Sequence, residues 1–307
     1  MANIRYSHMC HWKNIPYRKI DNFREFYYED KTNTAYYSDW DRILRYQKAL
    51  GFEGIELAPW DFPELLPLFG SPEAFAEFAQ ERGVNVSGIF HLVNAAHDRS
   101  KHKETIEEGK QAVDLLVQFG GTHLNSAPSN NYFGLGPLNR EHIKAAAEVI
   151  SEIGRYATDH GVQIGIHNEF FLAINKENHK EYIELTDLRY VHYCLDTAQV
   201  ALLGEDILGF YDTYHDRIGT FHLKDTASPN LPDEVRHSQD IEIVDDGTRW
   251  FWEPGEGVLD FPGLYRLLKK HGFKGWITLE TDGTPDLLAS MALSRYYIDR
   301  ELNPIYF

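Results

Sequence analysis

The chain has 307 residues, 43% hydrophobic and 25% charged, with 30 basic against 47 acidic side chains and a formal net charge of −17. That mixture can bury a sizeable core and excludes wholesale disorder. The acidic excess, without a basic stripe, excludes a nucleic-acid or anionic-membrane binder. No apolar run is long enough to span a bilayer, and the N-terminal MANIRYSHMCHW lacks the basic-then-apolar layout of a signal peptide. Two cysteines, Cys10 and Cys194, speak against a disulfide scaffold and fit a reducing compartment. A soluble cytoplasmic protein is expected, and its 15 histidines direct attention to metal and proton-transfer sites.

In chain order, short apolar runs predict strands over residues 4–9, 54–60, 84–93, 122–127, 162–170, 191–196, 218–224 and 276–281. Amphipathic stretches between them predict helices over 39–50, 72–82, 103–119, 139–160, 180–187, 207–217, 261–271 and 285–302. Ser71 caps the second of these, with Pro72 at its first position and Gly83 after its end. Gly120 with Gly121, and Gly161, stop the next two. Strict strand-then-helix order implies a parallel sheet with right-handed crossovers. Eight such units closed on themselves make a (β/α)8 TIM barrel. The competing fold, a doubly wound open sheet, lacks its Gly-x-Gly-x-x-Gly turn after the first strand. With no linker or low-complexity tract, residues 1–307 read as one domain.

Two long loops follow strands, so in a barrel they lie on the C-terminal face, where barrel enzymes place their sites. Residues 10–38 carry eight aromatic side chains, Trp12 among them, and residues 226–256 are polar and acidic. Loops of this length serve as lids or interaction surfaces.

The last four strands each deliver a carboxylate or imidazole near their C-terminal end. On the fifth, His167 and Glu169 are two residues apart and share a face with Gly165. The sixth ends in Asp196, the seventh carries His222 and Lys224 on one face and Asp225 on the other, and the eighth carries Glu280. Glu169, Asp196, His222 and Glu280 converging on the barrel axis would ligate one divalent metal. Three carboxylates and an imidazole suit Mn²⁺ first, with Mg²⁺, Co²⁺ or Zn²⁺ as alternatives. Singly, each residue reads as well as an ion-pair partner or a satisfied core histidine. The joint pattern over four successive strands carries the metal reading.

The stretches IGIHNEF, YCLDTAQ, TFHLKD and EPGEGVLDFPGLYRLLKKHGFKGWITLETD, with the early GFEGIELAPW, resemble the xylose isomerase-like barrel superfamily of sugar phosphate isomerases and epimerases. The resemblance spans nearly the whole chain and is strongest from residue 162 to 300. It implies the same four metal ligands. HLKD and the closing ETDGTPDLLASMALSRYYIDREL look most like inosose dehydratases; the catalytic subunits of C-glycoside deglycosidases, which act with a small β-rich partner, are also similar. One departure stands out. Many members carry His three residues after the strand-six Asp, and here that position is Gln199. An amide there argues for a single metal.

The resemblance implies a lyase acting on an oxo-sugar, oxo-glycoside or oxo-cyclitol. A base removes the proton α to the carbonyl, the metal stabilises the enediolate, and a β leaving group departs. His167 is the first choice of base, with Glu169 or Glu280 as ligand and base together. Lys224 would polarise the substrate oxygen or protonate the leaving group; alone it reads equally as an ion-pair partner. His91, His123 and Trp12 are expected substrate contacts, and His8 and His11 further candidates from the first strand. Glu256 reads as loop-shaping, Asp225 as support beneath the site. His97, His102, His142 and His179 read as solvated or helix-surface residues. The aromatic loop would suit a flat aglycone, a partner subunit, a second copy of the chain, or its own barrel. A metal-dependent sugar epimerase or isomerase with the same ligands is the alternative, and a non-catalytic sugar-binding barrel the third.

Overall fold

The computed structural model describes residues 4–9, 35–128, 138–237, 249–280, 282 and 284–307. Eight parallel strands, β1 Ile4–Met9, β2 Gly54–Leu57, β3 Asn85–Val93, β4 His123–Pro128, β5 Gln163–Ile166, β6 Val191–Asp196, β7 Ile218–Leu223 and β8 Gly275–Leu279, close into a barrel in sequence order. β8 pairs with β1, Thr278 facing Ser7, and completes the ring. The expected (β/α)8 architecture is the observed one.

The helices are α1 Ala35–Ala49, α2 Phe62–Phe69, α3 Pro72–Glu81, α4 His102–Gln118, α5 Arg140–Asp159, α6 His179–Leu185, α7 Thr197–Leu202, α8 Ile207–Tyr214, α9 Asp233–Arg236, α10 Phe261–His271 and α11 Leu287–Tyr297, with a π-helical turn at Ile298–Leu302 and a final α12 Asn303–Tyr306. Local chemistry sets several boundaries. The Ser71 hydroxyl accepts from the Ala74 amide, and the Asn139 side chain accepts from the His142 amide, so α3 and α5 start where their orphan N–H groups find partners.

The regular alternation of eight and eight is too simple. Helices α2, α7 and α9 interrupt it. FPELLPLF, which lies outside the predicted elements, forms α2 despite Pro63 and Pro67, because one proline sits in the first turn, where a missing N–H costs nothing. The helix expected over 285–302 passes into the π-helical turn after Tyr297.

Strand alternation sorts side chains into two populations. Tyr6, Ile89, Leu124, Ile164, Tyr193, Leu195, Phe221, Leu223, Ile277 and Leu279 point outward and join the apolar layer under the helices. Each fully buried Leu, Ile or Phe there stabilises the fold by roughly 1.5–3 kcal/mol. The opposite phase fills the barrel with polar groups: Ser7, Glu56, Asn125, Cys194, Asp196, Thr220, His222, Lys224, Thr278 and Glu280, all buried. Buried polar atoms must find partners, and here they find one another. Among the described residues, no helix is long and apolar enough to cross a membrane.

Candidate functional site

The polar filling is ordered in tiers along the barrel axis. At mid-height, Glu56 of β2 accepts from the Asn125 amide at 2.9 Å and from the Thr278 hydroxyl at 2.7 Å, and lies 3.0 Å from His222 Nε2. Ser7 and Thr220 extend the net, Ser7 to Thr278 at 2.6 Å and Thr220 to Asn125 at 2.8 Å. Burial opposes the Glu56 charge, but His222 and these donors outweigh it and hold its carboxyl below the usual range. Burial likewise opposes the His222 charge, while Cys194, Glu56 and Glu280 raise its pKa well above the ordinary value.

Above this tier the strand ends converge. His222 Nδ1 lies 2.8 Å from Glu280 Oε2, and His167 Nε2 lies 3.2 Å from Asp196 Oδ2. One donor atom from each of His167, Asp196, His222 and Glu280 lies within 4.8 Å of the others, and all four residues are buried. Asp196 does double duty, because its other oxygen accepts from the Gln199 amide and caps α7. Lys224 Nζ reaches Glu280 at 2.8 Å, Asp282 at 2.9 Å and Asp196 at 3.0 Å, and stands 4.4 Å over the Phe251 ring. Burial opposes the ammonium, but Asp196, Asp282 and Glu280 overcome it, so Lys224 stays protonated.

Carboxyl groups outnumber the basic groups at the site. Glu169, Asp196, Glu280 and Asp282 face the Lys224 ammonium and the His222 ring. Burial, with the neighbouring carboxylates, pushes the Glu169 carboxyl well above its usual range. A divalent cation would relieve that excess. The donor set fits one as well: two imidazoles and two carboxylates, with the Nδ1 atoms of His167 and His222 buried and without a hydrogen bond.

The structure brings Asp196, His222 and Glu280 together, with His167 as their fourth. Glu169 stands a step outside that group. β5 ends at Ile166, earlier than expected, so Glu169 lies in the turn beyond the strand. Its Oε1 is 3.5 Å from His167 Nδ1, and its Oε2 accepts a short hydrogen bond from Gln199. Gln199 is itself fixed, since its carbonyl accepts from the Phe170 amide at 2.9 Å. The amide at the departing position thus holds Glu169.

Three expected contacts lie elsewhere. His91 has the phase of Ile89 and Val93, which face the helices, whereas Phe90 points inward, 5.1 Å from His167 ring to ring. Burial depresses the His91 pKa to about 4, as for an imidazole in the apolar layer. His123 faces inward but opens β4, at the end of the barrel opposite the site, and its Nδ1 pairs with the Thr122 hydroxyl at 2.8 Å. His8 shares the outward phase of Tyr6 and packs edge-on to Phe52 at 5.6 Å. His179, expected at the surface, is buried against Phe210. Trp12, His11 and Cys10 lie outside the described residues, as does most of the aromatic loop; its end, from Ala35, belongs to α1. In the second loop, residues 238–248 also lie outside them.

Asp225 supports the mouth. Its carboxylate accepts from the amides of Thr226, Gly255, Gly257 and Leu259 at 2.8–3.1 Å, and its backbone forms an antiparallel bridge with Trp252. A Cβ at Gly257 would come within 2.3 Å of the Asp225 carboxylate, so that closeness requires glycine. Glu256 is exposed and closes a turn onto Glu253. The apolar side of the mouth is a second core cluster that includes Phe90, Phe170, Phe171, Leu231 and Phe251, with Trp60 and Trp250 packed against it.

Sequence reasoning gave Glu56, Asn125 and Asp282 no role. Asp282 was within reach, since it follows Glu280 by two residues and so keeps the inward phase. Asn125 and Glu56 lie mid-strand, where a polar residue carries no local signal of its partner.

The family model of the xylose isomerase-like TIM barrel matches residues 44–297. The chain belongs to that family. An inosose dehydratase of Klebsiella pneumoniae is 32% identical over 262 residues, covering 80% of this chain and 83% of that one. One from Clostridium beijerinckii is 27% identical over 186 residues, covering 60% of this chain and 62% of that protein. Among solved structures, the IolI protein with a bound zinc atom superposes with a TM-score of 0.71 at 18% identity, covering 99% of both chains. That identity speaks to the fold of this family member alone.

The tier beneath the site makes a prediction. Glu56 fixes the His222 ring from below, as outer-sphere carboxylates do for metal-bound histidines. Glu56→Gln should lower divalent-ion affinity about 10–100-fold while leaving the far-ultraviolet circular dichroism spectrum unchanged. Isothermal titration with Mn²⁺ checks it; unchanged affinity would remove Glu56 from that role.

Proposed function

We propose that this family member is a divalent-cation-dependent lyase that removes the proton α to the carbonyl of an oxo-sugar or oxo-cyclitol and expels a β substituent. The observation that carries the reading is a pairing around one oxygen: His167 Nε2 at 3.2 Å and Lys224 Nζ at 3.0 Å both contact Asp196 Oδ2. Elimination needs a base for the carbon-bound proton and an acid for the leaving group. His167 supplies the first. Its Nε2 is engaged by Asp196, its Nδ1 makes no hydrogen bond, and burial lowers its pKa, so the neutral ring has a lone pair to offer. Lys224, protonated and aimed by Asp282 and Glu280, supplies the second. The divalent ion, held by Asp196, His222 and Glu280 with Glu169, would stabilise negative charge on the substrate oxygens; Mn²⁺ suits that carboxylate-rich set. Dehydration of an inosose-like cyclitol is supported by the relatives' activity. Loss of an aglycone from a 3-oxo-glycoside is supported by the apolar wall of Phe90, Phe170 and Phe251, which offers a flat group a surface beside the charged centre.

The test is exchange and product analysis with oxo-cyclitols and 3-oxo-glycosides in deuterated water. The parent chain should exchange the α-hydrogen and release water or aglycone. His167→Ala should keep its metal and lose exchange by about 10²–10⁴-fold. Exchange at the parent rate in the variant would place the base elsewhere. Exchange with inversion and no elimination would make the chain an epimerase.

A further inference from the structure

We infer that Cys194, with His167 and His222, forms a second, softer donor set for a thiophilic metal ion such as zinc or cadmium, on the barrel axis below the carboxylates. One donor atom from each of the three residues lies within 4.8 Å of the others, and all three are buried. The placement follows from strand phase. Cys194 sits two residues before Asp196 on the inward face of β6, one side-chain step deeper and opposite Thr220, with His167 just past β5 on one side and His222 of β7, opposite Asp196, on the other. A thiol and two imidazoles are the ligand types of zinc sites, unlike the oxygen-rich group above. Each imidazole has a buried Nδ1 without a hydrogen bond, that of His222 lying 2.8 Å from Glu280.

The two sets share both histidines. An ion that favours oxygen stays among Asp196 and Glu280; one that favours sulfur is drawn down to Cys194. Binding there forms one metal–sulfur and two metal–nitrogen bonds and releases the thiol proton and the proton of the ligating His222 nitrogen to solvent, with no change of oxidation state. It also engages His167 and so removes the proposed base. Thiophilic ions should therefore occupy the barrel and block it, whereas Mn²⁺ should not touch the sulfur. This inference stands apart from the lyase reading, because it concerns only which atoms surround the ion.

The experiment uses the full chain carrying Cys10→Ser, which leaves Cys194 as its single cysteine. X-ray absorption of the protein loaded with one equivalent of zinc should show a sulfur neighbour at about 2.3 Å beside nitrogen or oxygen at about 2.0–2.1 Å. Cadmium should produce a thiolate-to-metal charge-transfer band in the ultraviolet, and manganese none. Adding Cys194→Ser should abolish both the sulfur shell and the band. A zinc shell of nitrogen and oxygen alone would overturn the inference, as would a band that survives the second substitution. The Cys10→Ser chain decides the question by itself should the double variant fail to fold.

Discussion

Asp196→Ala should strip the chain of its divalent ion and of turnover together. Asp196 joins three parts of the site: one carboxylate oxygen meets both His167 and Lys224, and the other caps α7. Losing an outer-sphere partner of a metal site typically costs 10–100-fold in affinity, so losing a ligand should cost more than about 100-fold. Elemental analysis after dialysis, on wild type and variant in parallel, reads this directly. About one Mn, Co or Zn per chain should be present in the wild type and missing from the variant. A variant that keeps a full equivalent would show that the ion is held elsewhere. Loss of the cap should also lower stability by about 0.5–2 kcal/mol, too little to unfold a barrel of this size.

Lys224→Met should produce the largest loss of stability at the site, about 3–5 kcal/mol, because removing one partner strands buried charges of the other sign. Here three carboxylates, Asp196, Glu280 and Asp282, lose their common cation. Methionine keeps the packing against Phe251, so the effect reads charge rather than volume. Denaturant unfolding with and without Mn²⁺ separates the contributions. A divalent ion at about 100 times its dissociation constant adds about 2.7 kcal/mol to any folded state that binds it, and so should offset much of the defect. A variant as stable as the wild type without metal would mean that the carboxylates are neutral and that the cation balances nothing. Turnover should stay low even with metal restored, since no acid is left for the leaving group.

The barrel was legible because its signal repeats. Eight apolar runs separated by amphipathic helices leave little choice of topology, and β1, β6 and α10 fall on their expected bounds. Asp196, His222, Lys224 and Glu280 were legible for a related reason: each lies at or next to the C-terminal end of a strand, and period two fixes the face. The errors come from the same rule applied without a phase. His91 and His8 lie on true strands, but one residue off the inward register, and a single residue turns a side chain from the axis to the helices. His123 has the right face at the wrong end of the barrel. Glu56 and Asn125 show the opposite limit. Their importance lies in pairing with residues far along the chain, 166 positions away for Glu56 and His222, and no local pattern carries that information.

Asp225 and Trp252 bridge the two roots of the second loop, and the Asp225 carboxylate ties down the return segment through Leu259. The closure entropy of whatever chain runs between those roots is therefore met at its base. Phe251, next to Trp252, and Lys224, next to Asp225, are set by that bridge. The mouth thus has one edge fixed by backbone, and that edge carries both the apolar wall and the ammonium beside the charged centre.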